Sequence, residues 1–233
     1  MSLTLSIHGT DPTLNVDFLP PIELGEGEYE CALIYFKSFN SIPNVDTSNN
    51  LFHYGDNVIV VPEGSYELDN IIHYLEQELE KASGDDPNKT IDILANTNTM
   101  KCIFYSSYYD IHFERENSIG SVFGFSQKML PKMQIHQSNQ PINILITNTI
   151  RVECNIIRGS FINSISSHVL HEFSPSVPPG YQIIECPPNL VYLPLKSNTI
   201  QNLQIRVVNE QGNLVNFRKE NISIRLHIRK ISS

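Results

Sequence analysis

Hydrophobic and polar residues alternate along much of the chain with a period of two, the spacing that sends successive side chains to opposite faces of a strand. Leu3, Leu5 and Ile7 alternate with Ser2, Thr4 and Ser6, and Leu14, Val16 and Phe18 repeat the period before a predicted break at Pro20-Pro21. Tyr109, Ile111 and Phe113 alternate with Asp110, His112 and Glu114. Ile150, Val152, Cys154 and Ile156 do the same with Arg151, Glu153 and Asn155, and Ile222, Ile224, Leu226 and Ile228 with Ser223, Arg225, His227 and Arg229. Each pattern buries one face and wets the other, as in antiparallel sheets. Residues 29–39 are apolar on both faces, which predicts a strand covered on two sides, and residues 58–61 form a short apolar run closed by Pro62. Shorter strands are predicted over 91–94, 101–105, 142–147, 181–185 and 203–208.

One segment changes period. Leu68, Ile71, Ile72, Leu75, Leu79 and Ala82 recur at the three- and four-residue spacing of an amphipathic helix over about 65–82. Ser65 is the predicted cap, Glu67 and Asp69 suit the positive end of the helix dipole, and Gly84 with Pro87 stops it. A second, shorter helical turn is predicted over 118–123. Turn chemistry separates the segments at 96–98, 178–180, 187–189 and 211–213. The proline-rich stretch 174–180 reads as a loop between strands, because clear strands flank it. Ten or more strands with one helix predict an all-β fold: a single jelly-roll β-sandwich, one domain over residues 1–233, with the helix inserted between strands.

Charge narrows the function. The chain carries 25 Asp and Glu against 16 Lys and Arg, a net charge of −9. Its basic residues are scattered apart from Arg225, Arg229 and Lys230, so no direct nucleic-acid binding driven by phosphate neutralisation is expected. No apolar run is long enough to predict a membrane span, and the N-terminus lacks the charged and apolar regions of a signal peptide. Cys31, Cys102, Cys154 and Cys186 are far apart and fit no motif, which predicts reduced, mostly buried thiols in an intracellular compartment. The sequons at Asn88 and Asn221 are then chance matches.

The candidate chemistry is thin. His168, His171 and Glu172 lie close in sequence, but the order differs from that of zinc proteases, and on a strand the two histidines would face opposite sides. Gly25-Glu26-Gly27-Glu28 has carboxylates where a phosphate cradle needs none. Asp85-Asp86 reads as a solvated loop, with a calcium loop as the lesser alternative. No Gly-x-Ser-x-Gly elbow occurs and no cysteine has a base beside it. The expectation is therefore a chain with no catalytic, cofactor-binding or metal residues, and no enzyme. Two aromatic groups could serve contacts instead. Phe123 and Phe125 either tuck into the core or project as a contact surface, and residues 104–109 either pair across a hairpin or face solvent.

Several segments, taken in order, carry a resemblance. Ser38-Phe39-Asn40-Ser41-Ile42-Pro43-Asn44 follows the two-faced strand, and Ile59-Val60-Val61-Pro62-Glu63-Gly64-Ser65-Tyr66 leads into the helix. Asn98-Thr99-Met100-Lys101 precedes a strand, and Ser118-Ile119-Gly120 precedes Phe123-Gly124-Phe125. Ile150 to Asn155, His171-Glu172-Phe173, Val177-Pro178-Pro179-Gly180-Tyr181, Asn216-Phe217-Arg218 and Ile222 to Arg229 follow. From about residue 30 onward the chain resembles the minor capsid (penton) proteins of Polinton/Maverick elements and the related adintoviruses. It departs from them at Lys219, where the family usually has Gly.

The resemblance implies a structural protein of the virion, intracellular before assembly, with the nucleus as one candidate compartment. Five copies would close a homopentamer at an icosahedral vertex and meet a separate double jelly-roll major capsid protein. At usual domain sizes this chain is too short for two jelly rolls itself. The alternatives are a trimeric ligand of the tumour-necrosis-factor type, a carbohydrate-binding β-sandwich, and a sandwich-fold hydrolase or metal enzyme using His168 or His171.

Overall fold

The structure, a computed structural model, describes residues 2–83, 90–144 and 147–231. In chain order its strands and helix are β1 (Ser2–Gly9), β2 (Thr13–Glu23), β3 (Tyr29–Phe39), β4 (Leu51–Tyr54), β5 (Asn57–Val60), α1 (Leu68–Ser83), β6 (Ile91–Asn96), β7 (Lys101–Ser106), β8 (Ile111–His112), β9 (Met129–Leu130) and β10 (Ile135–Gln137). Then come β11 (Ile150–Cys154), β12 (Ser160–Ile162), β13 (Ile165–Ser167), β14 (Val169–Phe173), β15 (Gln182–Glu185), β16 (Leu193–Pro194), β17 (Thr199–Asn209) and β18 (Ile222–Lys230). The chain, expected as one domain over 1–233, gathers its contacts into two compact units, Met1–Ile42 with Thr147–Ser233, and Pro43–Ile146. The predicted helix stop at Gly84 and Pro87, the Asp85-Asp86 loop, the sequon at Asn88, and Leu145 and Ile146 of the strand predicted over 142–147 lie outside the described residues. Residues 142–144 form no strand.

The first unit is a jelly roll. One sheet runs β1-β18-β3-β15, with β16 on a further stretch of β3, and the other runs β14-β11-β17-β2. Numbered along this unit with β16 left aside, eight strands of the two sheets pair antiparallel first with eighth, second with seventh, third with sixth and fourth with fifth. That is a long hairpin rolled up into two Greek keys, the double-sheet solution to many short strands. The alternation read in the sequence aims one face of each sheet inward. Ile224, Leu226 and Ile228 of β18 and Val152 and Cys154 of β11 are fully or almost fully buried, in one cluster with Leu203, Ile205 and Val207 of β17. Phe36 lies between them, 5.1 Å from the Phe173 ring and 6.2 Å from that of Phe217.

Two expectations change here. The Pro20-Pro21 pair does not end β2. The ladder to β17 skips from Asp17–Asn202 to Ile22–Ile200, so residues 18–21 bulge out opposite Gln201. Proline has no N–H to give a ladder, and a bulge is where a strand tolerates it. Lys219 keeps the turn that glycine would make. Arg218 (φ 53) and Lys219 (φ 65) are both left-handed, and the Glu220 N–H closes the turn on the Phe217 carbonyl at 2.9 Å.

The second unit has two small sheets, β10-β7-β6 and β5-β4-β8-β9, and the helix α1. Its own core holds Phe52, Phe104, Phe113 and Phe125, with ring centroids 5.2 to 6.3 Å apart. Ile71 and Leu75 of α1 are fully buried in that core and Leu79 nearly so, the apolar stripe read from the sequence. The helix starts at Leu68 rather than at a cap on Ser65, and the Asn70 and Ile71 N–H groups donate to the Glu67 carbonyl. Asn44 explains the delay: its side chain accepts from the Tyr66 N–H at 2.9 Å and donates to the Tyr66 carbonyl at 2.7 Å, pinning that residue outside the helix. The strand predicted around Tyr109 to Glu114 shrinks to Ile111–His112. The short turn predicted at 118–123 is a 3-10 turn at Ile119–Ser121, capped by the Ser118 hydroxyl.

Candidate assembly surface

The residues singled out for chemistry are held in structural roles. His171 projects at the rim of the sandwich, where its Nε2 lies 2.9 Å from Glu185 Oε1 and joins β14 of one sheet to β15 of the other. Glu172, one residue on, turns outward to the Arg151 guanidinium at 3.1 Å. His168 is exposed, 3.5 Å from the Lys196 ammonium. The three thus point apart, and among the described residues no three His, Cys, Asp or Glu side chains converge as metal ligands would. Burial pushes the Cys102 and Cys154 thiols up to about 12, and burial beside Cys154 raises Cys31 as well. These three thiols stay protonated near neutrality and are poor nucleophiles. Cys186 alone is exposed. The Gly25–Glu28 segment is a turn whose carbonyls, at Gly25 and Gly27, accept from the Asn198 amide at 3.0 and 2.8 Å.

The aromatic groups divide. Phe123 and Phe125 are buried in the second unit's core, the first of the two readings their sequence allowed, and do not project as a contact surface. Gly124 between them has φ 78, and a Cβ there would stand 2.3 Å from the Gln140 carbonyl, so glycine is what lets both rings turn inward. Tyr109 packs edge-on against Tyr54 at 5.0 Å, while Tyr108 is half exposed with the Lys132 ammonium 5.5 Å over its ring.

The motif around the end of β3 is likewise structural. Asn40 donates to the Val177 carbonyl at 2.7 Å and its backbone N–H to Tyr181, which ties down the proline-rich loop. The Ser41 hydroxyl donates to the Phe217 carbonyl at 2.6 Å. These bonds satisfy backbone groups in loops that no ladder reaches. Outside the first sheet, Arg229 stacks 3.6 Å over the Tyr192 ring and meets Glu30 at 2.6 Å.

Two exposed features of the first unit are apolar. Strands β12 and β13 form a separate two-stranded hairpin, Ser160 to Ser167, without a charged residue. Its two-residue turn is Asn163-Ser164, with φ of 47 and 68, the left-handed pair that a tight hairpin needs. Phe161 is 68% exposed on one face of the ribbon and Ile165 is 73% exposed on the other. At the β2 bulge, Leu19 is 87% exposed, more than any other large apolar side chain described. Sequence reading missed both. The hairpin strands are three residues long, too short for alternation to register, although an Asn-Ser pair between Ile162 and Ile165 is a turn signal. Leu19 was hidden by taking the following prolines as a strand end.

These features define a class, an eight-stranded jelly roll carrying a second compact unit in the connection between its third and fourth strands. No family model and no curated protein matches the chain. Among solved structures its fold is similar to the crystal structure of the mavirus penton protein, with a TM-score of 0.52 over 99% of both chains at 11% sequence identity.

Proposed function

We propose that the chain is a minor capsid (penton) protein of the Polinton/Maverick, adintovirus-like kind, a structural subunit rather than an enzyme. The observation that carries the reading is the extent of the likeness to a penton protein. It runs over 99% of both chains, so it takes in the inserted unit as well as the roll. The ordered segments that resemble the family in sequence support it independently, and their asparagines and serines make the loop contacts described above. In this reading residues 1–233 act as one capsid subunit. Five copies close a ring at an icosahedral vertex, beside a separate double jelly-roll major capsid protein, and the protein ends in the virion.

A ring requires a head-to-tail interface whose rotation closes. Obligate interfaces of this kind bury upwards of about 2,000 Å², so the purified chain should pass from monomer to pentamer as concentration rises. Sedimentation velocity over a wide concentration range tests this. A boundary that shifts from one to five copies supports the reading. Monomer throughout contradicts it, and a stable trimer favours the trimeric-ligand alternative. The carbohydrate alternative is weakened by the Lys132 ammonium that already lies over the Tyr108 ring.

A further inference from the structure

On the reading of the chain as a self-assembling subunit, we infer that neighbouring copies join through the β12–β13 hairpin of one and the Leu19 bulge of the next. A head-to-tail contact needs two different patches on opposite sides of the same subunit. The sheet β14-β11-β17-β2 supplies them: the hairpin connects β11 to β14 at one edge, and the bulge interrupts β2 at the other. Three strand spacings, roughly 14 Å, separate those edges, so the two patches do not cover each other within one copy.

Both patches also lie at the same end of that sheet. The bulge faces Gln201 of β17, and the chain leaves β11 for the hairpin at Asn155, whose N–H donates to the Gln204 carbonyl at 3.1 Å. Copies standing side by side in one orientation therefore present hairpin and bulge at one level. That is the condition for a closed ring; patches at different levels would give a rising helix.

The surroundings are complementary in charge. Arg158 and Lys196 are exposed beside the hairpin, with the Lys196 ammonium against the Asn155 carbonyl at 2.6 Å. Asp17 and Glu23 are exposed on β2, on either side of the bulge. Pro20 and Pro21 deny this edge the N–H groups that strand addition would use, so the contact is made by side chains. Phe161 and Ile165 supply apolar anchors of the sort that concentrate binding energy, and the charges form a rim that fixes orientation.

The test uses the full chain with Cys186→Ser. Leu19→Cys and Phe161→Cys variants, mixed and oxidised, are expected to give a disulfide-linked dimer that neither gives alone. Phe161→Ser with Ile165→Ser is expected to raise the half-assembly concentration more than about tenfold while thermal unfolding of the dilute monomer stays unchanged, since both side chains are exposed. Arg158→Glu and Glu23→Arg should each weaken assembly, and together restore it. An oligomer that forms normally without the hairpin side chains, or that never cross-links, assigns the hairpin to another partner and overturns this inference while leaving the assembly reading intact. Wild-type chain that stays monomeric at every concentration overturns both.

Discussion

The roll and the unit inserted into it fill their cores by different means. Five strands of the roll are 8 to 11 residues long, and its inward positions are mostly Ile, Leu and Val. Among its described residues the inserted unit has no strand longer than six residues, and its core is built on five phenylalanines and a helix stripe. Long strands bring many ladder hydrogen bonds, so small aliphatic side chains suffice. Short strands bring few, and each aromatic ring compensates with a large apolar area and edge-to-face contacts. Charge divides the same way. Residues 43–146 carry fourteen Asp and Glu against six Lys and Arg, and the rest of the chain eleven against ten. The insert thus holds nearly all of the net negative charge.

The largest expected effect comes from breaking one core at a time. Phe104→Ala should cost about 3–5 kcal/mol and abolish hydrogen-exchange protection in 43–146 while strands β17 and β18 stay protected. Phe36→Ala should do the reverse. Loss of protection throughout the chain in both variants would contradict two separately packed cores.

Next come the paired asparagines that anchor loops in each unit. Asn44→Ala removes bonds to Tyr66 and to the Ile144 carbonyl (2.9 Å), and Asn40→Ala removes the bond to Val177. Each should cost about 1–3 kcal/mol, read by denaturant unfolding. Asn44→Ala should be the costlier, because more buried groups lose partners.

Acid should separate the units further. His53 in the insert has its pKa lowered by burial and by the neighbouring Arg115 and His112, against the raising influence of the Glu116 carbonyl and the Glu114 carboxylate. A lowered histidine contributes stability that is complete above the unfolded value of about 6.5 and is lost as pH falls through the folded value. Glu114 opposes its own burial with hydrogen bonds to His112 and to its own backbone N–H, which leave its pKa low, so its contribution is lost below about pH 4.5. The roll has a lowered group too, Glu210, held by the backbone N–H groups of Glu210, Thr149 and Asn148 against burial, and its contribution is lost only below about pH 4.5. Exchange protection in 43–146 should therefore begin to fall below about pH 6.5, before the Glu210 contribution to the roll is lost. His53→Phe should flatten that early slope.

The smallest effect is at the Lys219 turn. A left-handed lysine costs about 1–2 kcal/mol, and glycine relieves it while gaining freedom in the unfolded chain. Lys219→Gly should raise stability by up to about 1 kcal/mol, seen as a small rise in Tm.

The same contrast explains what could be read from the sequence. In the roll, β1, β11 and β18 alternate cleanly because one face of each sheet is buried, so β18 was expected over nearly its full length. The helix of the insert was visible through Ile71, Leu75 and Leu79. The aromatic core was not, because Phe104, Phe113 and Phe125 reach one cluster from a strand and two turns with no common period. The pairing of first with eighth and second with seventh strands is a long-range property that no local window carries. The candidate contact patches were hidden for another reason: an exposed Leu19 or Phe161 breaks the rule that large apolar groups lie inside, and sequence patterns are read by that rule.

The capsid role is open to cryo-electron microscopy of particles formed by co-expressing this chain with a double jelly-roll major capsid protein. Fivefold density for this chain is expected at the vertices, five rolls standing side by side with hairpin against bulge. Closed particles whose vertices lack it, with the chain left as free monomer, would contradict that role.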